Sequence, residues 1–403
     1  MKLIGPFSQI LTLNKIGFKG SIKDTAIEIV ANGGVLVTNG NIIKVANFET
    51  LRRENPNVVI EEITQNSVLL PGFVDCHTHT CFAGSRAMDF AERNAGTSYL
   101  EIAEKGGGIW SSVSQTRNAS DQELLQLTES RVNSFLKKGI TTIEIKTGYG
   151  LSVEEEIRLL NIINKLKTKT TVVPTCLAAH IKPKDFEGSA SDYLRHLIEN
   201  LLPKIKDLTN RIDIFTEKSA FEIEDSTQYL QKAQSFGYQI TVHADQFTSG
   251  SSQMAVRLGA LSADHLEASN EEDIKILGQS ETVAVALPGA SLGLGEPFTP
   301  ARKLLNAGAC LAIASDYNPG SAPMGDLLTQ ASILATFQKL STAEVFSGLT
   351  FRAAKALNLF DCGKMAKGFK ADLQAYPTED YREILYQQGK LKPCFVWKNG
   401  YKI

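Results

Sequence analysis

Eight short runs of β-branched and small apolar residues recur along the chain from residue 67 onward. They are SVLLPGFVD, ITTIEIK, TTVVPTCLAA, RIDIFTE, QITVHAD, ALSADHL, ETVAVALPG and CLAIASD. Longer segments separate them, such as DQELLQLTESRVNSFLKK and VEEEIRLLNIINKLK, with apolar residues every three or four positions. Runs that are apolar on both faces and joined by helices specify a parallel sheet covered on both sides. Eight such units predict an α/β fold built on a (β/α)8 TIM-like barrel over residues 67–356, in preference to an open doubly wound sheet. With 403 residues, the chain exceeds what one core serves, and a smaller second domain is expected from the flanks.

The polar residues that end these runs carry the chemistry. His77 and His79 follow the first, Lys146 and Tyr149 the second, His180 the third and Glu217 the fourth. His243 closes the fifth, His265 the sixth and Asp316 the eighth. Of the six histidines, only His196 falls on a helical segment. In a barrel the carboxyl ends of the strands meet at one face, so residues far apart in sequence converge there. Side chains alternate along a strand, so His77 and His79 share a face and can hold one cation between them. His243 would add a third nitrogen and Asp316 an oxygen. This donor set suits one divalent metal ion, zinc or iron, with a position left for water.

Composition narrows the partners. Formal net charge is −2, and no Lys/Arg run is long enough to track a phosphate backbone, so no nucleic acid is expected. No stretch approaches eighteen apolar residues, so no membrane span is expected. The opening MKLIGPFSQILTLNKIGFKG lacks the apolar core and cleavage site of a secretion signal. The six cysteines form no C-x-x-C pair and read as free thiols, so a cytoplasmic protein is expected. GGG at 106–108 lacks a following Lys-Ser/Thr and is not a nucleotide cradle.

PGFVDCHTH on the first strand, the histidines of the fifth and sixth and the aspartate of the eighth resemble the amidohydrolase superfamily of metal-dependent hydrolases. HTHTCFAGSRAMDF, GGGI, EIKTGYGL, LAAHIKP, HADQF, LSADHL and ASDYNPGS are similar, within it, to the imidazolonepropionase family. GKMAKGFKADLQAY and DTAIEIVANGGVLVTNGNIIKVA resemble the two halves of that superfamily's small β-sandwich. The resemblance therefore implies a discontinuous sandwich domain from 1–66 plus 357–403, and a homodimer. It implies hydrolysis of the ring amide of 4-imidazolone-5-propanoate to N-formimino-L-glutamate by a metal-activated water. His77, His79, His243 and Asp316 would hold the ion; Arg86, Tyr149, His180 and Gln246 would contact the imidazolone; Asn318, Gly320 and Ser321 would line the product side.

The implied substrate sets physical demands. Its propanoate needs a cation, and Arg86 offers a planar fork. Tyr149, in TGYG, His180 and Gln246 would read the flat ring, while Asn318 could equally form the turn before Pro319. Asp316 is expected to carry the water's proton to the departing nitrogen, and His265 to stabilise the developing oxyanion. Superfamily members with two metals bridge them through a carboxylated lysine after the fourth strand, where this chain has Glu217-Lys218. One ion is therefore expected, with Glu217 the only route to a second. GEPFTPARKLL reads as a loop and helix start at the site mouth. The rival reading is an aminohydrolase, a mononuclear deaminase of a nitrogen heterocycle. Such enzymes carry a glutamate three residues after the fifth-strand histidine, where Gln246 stands here, unable to shuttle a proton.

Overall fold

The computed structural model describes residues 1–97, 101 and 106–403. Eight parallel strands run in chain order around one sheet: Phe73–Asp75, Ile140–Lys146, Thr171–Ala179, Arg211–Ile214, Gln239–Ala244, Ser262–His265, Val283–Ala286 and Cys310–Ile313. Each lies within a run expected from the sequence. Their side chains are almost entirely buried, because one face fills the barrel and the other meets the helices. The helix Asp121–Lys137 starts where Ser120 accepts from the backbone N–H of Glu123, and it buries Leu124, Val132, Phe135 and Leu136. Val153–Asn164 is capped the same way by Ser152 and ends three residues before the expected stretch does, once its buried stripe reaches Ile163.

The first run differs from the expectation of one strand, because it serves two sheets. Val68–Pro71 pairs with Gln9–Ile10 and with Leu373–Tyr376 in the small sheet, and only Phe73–Asp75 enters the barrel. Gly72 sits at the change of sheet; a Cβ there would lie 2.3 Å from Thr141 Oγ1. The small sheet draws Lys2–Leu11, Ile29–Thr38, Asn41–Asn47 and Val59–Glu62 from the start of the chain. From its end come Leu373–Tyr376, Phe395–Lys398 and Tyr401–Lys402. Phe7, Ile10, Val35, Leu69, Leu373 and Trp397 form the core against this second sheet.

The barrel closes between its eighth and first strands through side chains and loop backbone. Ser315 donates to Asp75 from its N–H at 3.0 Å and its hydroxyl at 2.6 Å. Just beyond, the N–H of Asp316 donates to the His77 carbonyl at 3.1 Å, and that of His79 to the Tyr317 carbonyl at 2.9 Å. The seam that closes the barrel thus fixes Asp316 beside the two histidines. Burial lifts the Asp75 carboxyl to about 6 despite the Ser315 hydrogen bonds. A carboxyl raised from 3.8 in the unfolded chain adds stability that is complete below that value and is lost as pH rises through about 6. Asp75→Asn is therefore expected to remove a stability change on the order of 2–3 kcal/mol between pH 4 and 7. Tm measured against pH for both proteins checks this; parallel curves would refute it.

All six cysteines are free, five of them buried. Among the described residues no helix is long and apolar enough to cross a membrane.

Candidate metal centre and active site

At the carboxyl ends of the strands, His77, His79 and His243 bring their Nε2 atoms towards one point. His243 Nε2 lies 3.3 Å from His79 Nε2, and Asp316 Oδ1 lies 3.4 Å from the Nε2 atoms of both His77 and His79. All four residues are buried. His77 Nε2, shut away from solvent, makes no hydrogen bond. Three imidazole nitrogens and a carboxylate oxygen crowded around one point, with His77 Nε2 left without a hydrogen bond, fit a single divalent cation. One ligand-capable atom from each of His77, His79 and His243 falls within a 4.8 Å cluster, as does one from each of His77, His265 and Asp316. His265, expected as a catalytic group, thus stands within reach of the same centre.

The electrostatics set the protonation of these groups. Burial lowers His79 and His243 to about 3, so both are neutral imidazoles at pH 7, with a lone pair to offer a cation. Burial and the Lys146 ammonium also push His77 down, but the Asp264 and Asp316 carboxylates outweigh them and leave it at about 9. Asp316 stays ionised: burial opposes this, and the neighbouring imidazoles of His77 and His79 hold it well below the usual carboxylate range. Asp316 (φ 53°), His265 (φ 87°) and Leu266 (φ 72°) adopt left-handed backbone, a strain of about 1–3 kcal/mol each that tertiary contacts must hold. The His265 carbonyl accepts from Thr299 Oγ1 at 2.6 Å, which brings the GEPFTPARKLL loop to the site as expected.

A cavity of about 860 Å³ opens above these residues. Arg86, Tyr149, His180, Gln246, Asn318, Gly320 and Ser321 all line it, with His79, His243, His265 and Asp316. His180 stacks on His79, with ring centroids 5.4 Å apart and planes at 20°. Its Nδ1 donates to the Gly148 carbonyl at 3.0 Å, and burial lowers it to about 4. Gly148 takes φ 110°, and a Cβ there would lie 3.0 Å from that nitrogen. Tyr149 is buried beside both rings. Arg86 donates through Nε to Asp89 Oδ2 at 2.7 Å, and the same oxygen accepts the Gly108 N–H at 2.8 Å. Its NH1 passes so close to Gly320 that a Cβ there would lie 2.3 Å away.

Asn318 forms the turn and braces Asp316 as well. Its Oδ1 accepts from the N–H groups of Gly320 (2.7 Å) and Ser321 (2.8 Å), while its Nδ2 donates to Asp316 Oδ2 at 2.9 Å. Ser321 Oγ donates to the same oxygen at 3.2 Å.

Two residues lie apart from where the sequence points them. Glu217 spends both oxygens on the neighbouring loop, accepting from the N–H groups of Phe247 (2.9 Å) and Thr248 (3.2 Å) and from Thr248 Oγ1 (2.6 Å). Lys146 lies beneath the cavity, wholly buried among Glu144, Asp213 and Asp264. Sequence reasoning missed those three acids and Asp89. The available signal was a charged residue inside an otherwise apolar run, as in ITTIEIK, RIDIF and LSADH, because a buried charge requires a partner.

Comparison with known proteins agrees with this geometry. The sequence profile of the amidohydrolase family matches residues 68–401. An imidazolonepropionase of Bdellovibrio bacteriovorus is 37% identical, covering 100% of this chain and 96% of the relative. The chain belongs to the amidohydrolase family, among its imidazolonepropionases. Another imidazolonepropionase, from Rubrobacter xylanophilus, is 39% identical over 93% of this chain and 91% of its own. Among solved structures, an adenosine deaminase from Xanthomonas campestris with bound zinc superposes with a TM-score of 0.70 over 100% of this chain and 92% of its own. At 18% identity that likeness shows the amidohydrolase fold alone.

Proposed function

We propose that the protein hydrolyses the ring amide of 4-imidazolone-5-propanoate to N-formimino-L-glutamate. One observation carries this reading: a single cavity is lined by the convergent imidazoles and Asp316 and also by Arg86, whose Nε is held by Asp89. That is what a small ring with a carboxylate tail requires.

His77, His79, His243 and Asp316 would hold one ion, zinc or iron, as the unpartnered Nε2 of His77 among three other donors suggests. When bound, such an ion supplies Lewis acidity, making a water's proton removable near pH 7. The remaining steps belong to the chain. Arg86, positioned through its Nε by Asp89, grips the propanoate with its guanidinium. Tyr149 and His180 face the ring, and Gln246 is positioned to read its nitrogen and oxygen by hydrogen bonding. Asp316, ionised and braced by Asn318 and Ser321, receives the water's proton as oxygen attacks the carbonyl carbon. The carbonyl oxygen gains charge, and His265 faces it. As the C–N bond breaks, Asp316 returns the proton to the leaving nitrogen, giving a carboxylate and a formimino group. Gln246 is not titratable and cannot shuttle a proton in this way, so the glutamate expected of a deaminase is missing from that position.

The test is turnover of freshly generated 4-imidazolone-5-propanoate, followed by loss of its ultraviolet absorbance, before and after chelation. Activity should vanish with the metal and return with zinc or iron, and the product should have the mass of formimino-glutamate. Metal-loaded protein without turnover would sink the assignment.

A further inference from the structure

Beneath the cavity lies a belt of buried charge that the reaction does not use directly. Lys146 Nζ stands 2.8 Å from Asp213 Oδ2, 2.9 Å from Glu144 Oε2 and 3.6 Å from Asp264 Oδ2. Asp213 Oδ2 lies 2.9 Å from His243 Nδ1, and Asp264 Oδ2 accepts from His77 Nδ1 at 2.7 Å. One ammonium therefore touches both carboxylates behind two of the imidazoles whose Nε2 atoms converge on the centre. Among the described residues no carboxylate lies within ion-pair distance of His79 Nδ1, whose only acidic neighbour, Asp316, faces its Nε2. All members of the belt are at most 3% exposed.

We propose that Lys146 is a positioning residue for the metal centre: it clamps Asp213 and Asp264 together so that His243 and His77 are held by Nδ1 and aimed by Nε2. Two buried carboxylates repel each other, and their burial keeps bulk solvent from screening them. With the ammonium between them both stay turned towards their imidazoles. Without it they move apart, and at least one ring loses the acceptor that fixes its orientation and basicity. Glu144 completes the belt from the far side, where Thr175 Oγ1 donates to it at 2.5 Å and Arg211 NH2 lies 3.5 Å away. Its carboxylate touches neither imidazole, which separates neutralising charge from holding ligands.

This rests on the metal reading above, so the test uses zinc as the probe and needs no substrate. Lys146→Met is expected to bind zinc about 10–100-fold more weakly in competition with a chromophoric chelator. Because that variant leaves three carboxylates facing one another, Lys146→Met/Glu144→Gln is measured beside it. The pair removes one charge of each sign and restores the belt's balance. If the double variant folds with native circular dichroism and still binds zinc about 10–100-fold more weakly, the clamp role stands. If it folds and binds zinc as the wild type does, Lys146 only neutralises charge, and the proposal is overturned. Should neither variant fold, ¹⁵N spectra of the wild-type imidazoles decide. Protons on Nδ1 of both His77 and His243 support the clamp, and a proton on Nε2 alone of either overturns it. A wild type that binds no zinc would instead remove the metal reading itself.

Discussion

Replacing Asp316 by asparagine should lower kcat by about 10²- to 10⁴-fold, the range that positioned proton transfer contributes. The substitution is nearly isosteric, and the bonds around Asp316 show what it changes besides the proton. Oδ2 accepts from Asn318 and Ser321, while Oδ1 faces the imidazoles. An amide placed with its oxygen towards the histidines keeps a weak donor atom there, but it cannot take a proton. Its NH₂ group would meet Asn318 Nδ2, a donor against a donor, so Asn318→Asp is the natural partner substitution. Metal content measured alongside kcat separates the two roles of Asp316. Near-normal turnover with metal retained would remove it from proton transfer.

Truncating Arg86 to alanine should cost about 2–5 kcal/mol in kcat/KM, the usual penalty for stranding a partly buried carboxylate. At about 1.4 kcal/mol per factor of ten, that is roughly 30- to several thousand-fold. The loss should appear mainly in KM, because the propanoate is unchanged between ground state and transition state. An imidazolone lacking the propanoate should be hydrolysed equally slowly by both proteins, which tests whether the arginine meets the tail or merely supports the fold. Gly320→Ala is expected to shift KM in the same direction, because its Cβ would displace NH1.

What the sequence made legible follows from what periodicity encodes. Eight strands buried on both faces leave a strong apolar signal, and the histidines at their ends stand out because so few others exist. The cavity duly gathers Arg86, Tyr149, His180, Gln246 and the 318–321 turn. The supporting layer was harder to see. Lys146 ends its strand as an active-site residue would, but its long stem turns inward to three acids, and direction along a strand end is a matter of packing. Glu217 likewise sits where a metal ligand could, yet the backbone N–H groups of Phe247 and Thr248 claim it. The split of SVLLPGFVD between two sheets left no trace beyond Gly72, because both halves are apolar and extended.

That split constrains how the enzyme can move. Val68–Pro71 and Phe73–Asp75 are one continuous piece of backbone, and the former is stitched to Leu373–Tyr376 on its other side. A swing of the small sheet about the barrel would have to turn at Gly72, crowded by Thr141, and pull Gln374 out of the gap it fills against Gly139. Substrate entry therefore cannot rely on the two bodies parting like a jaw. Traffic into the cavity falls to the loops at its rim, and a ligand that slows their motion should leave the interdomain distance unchanged.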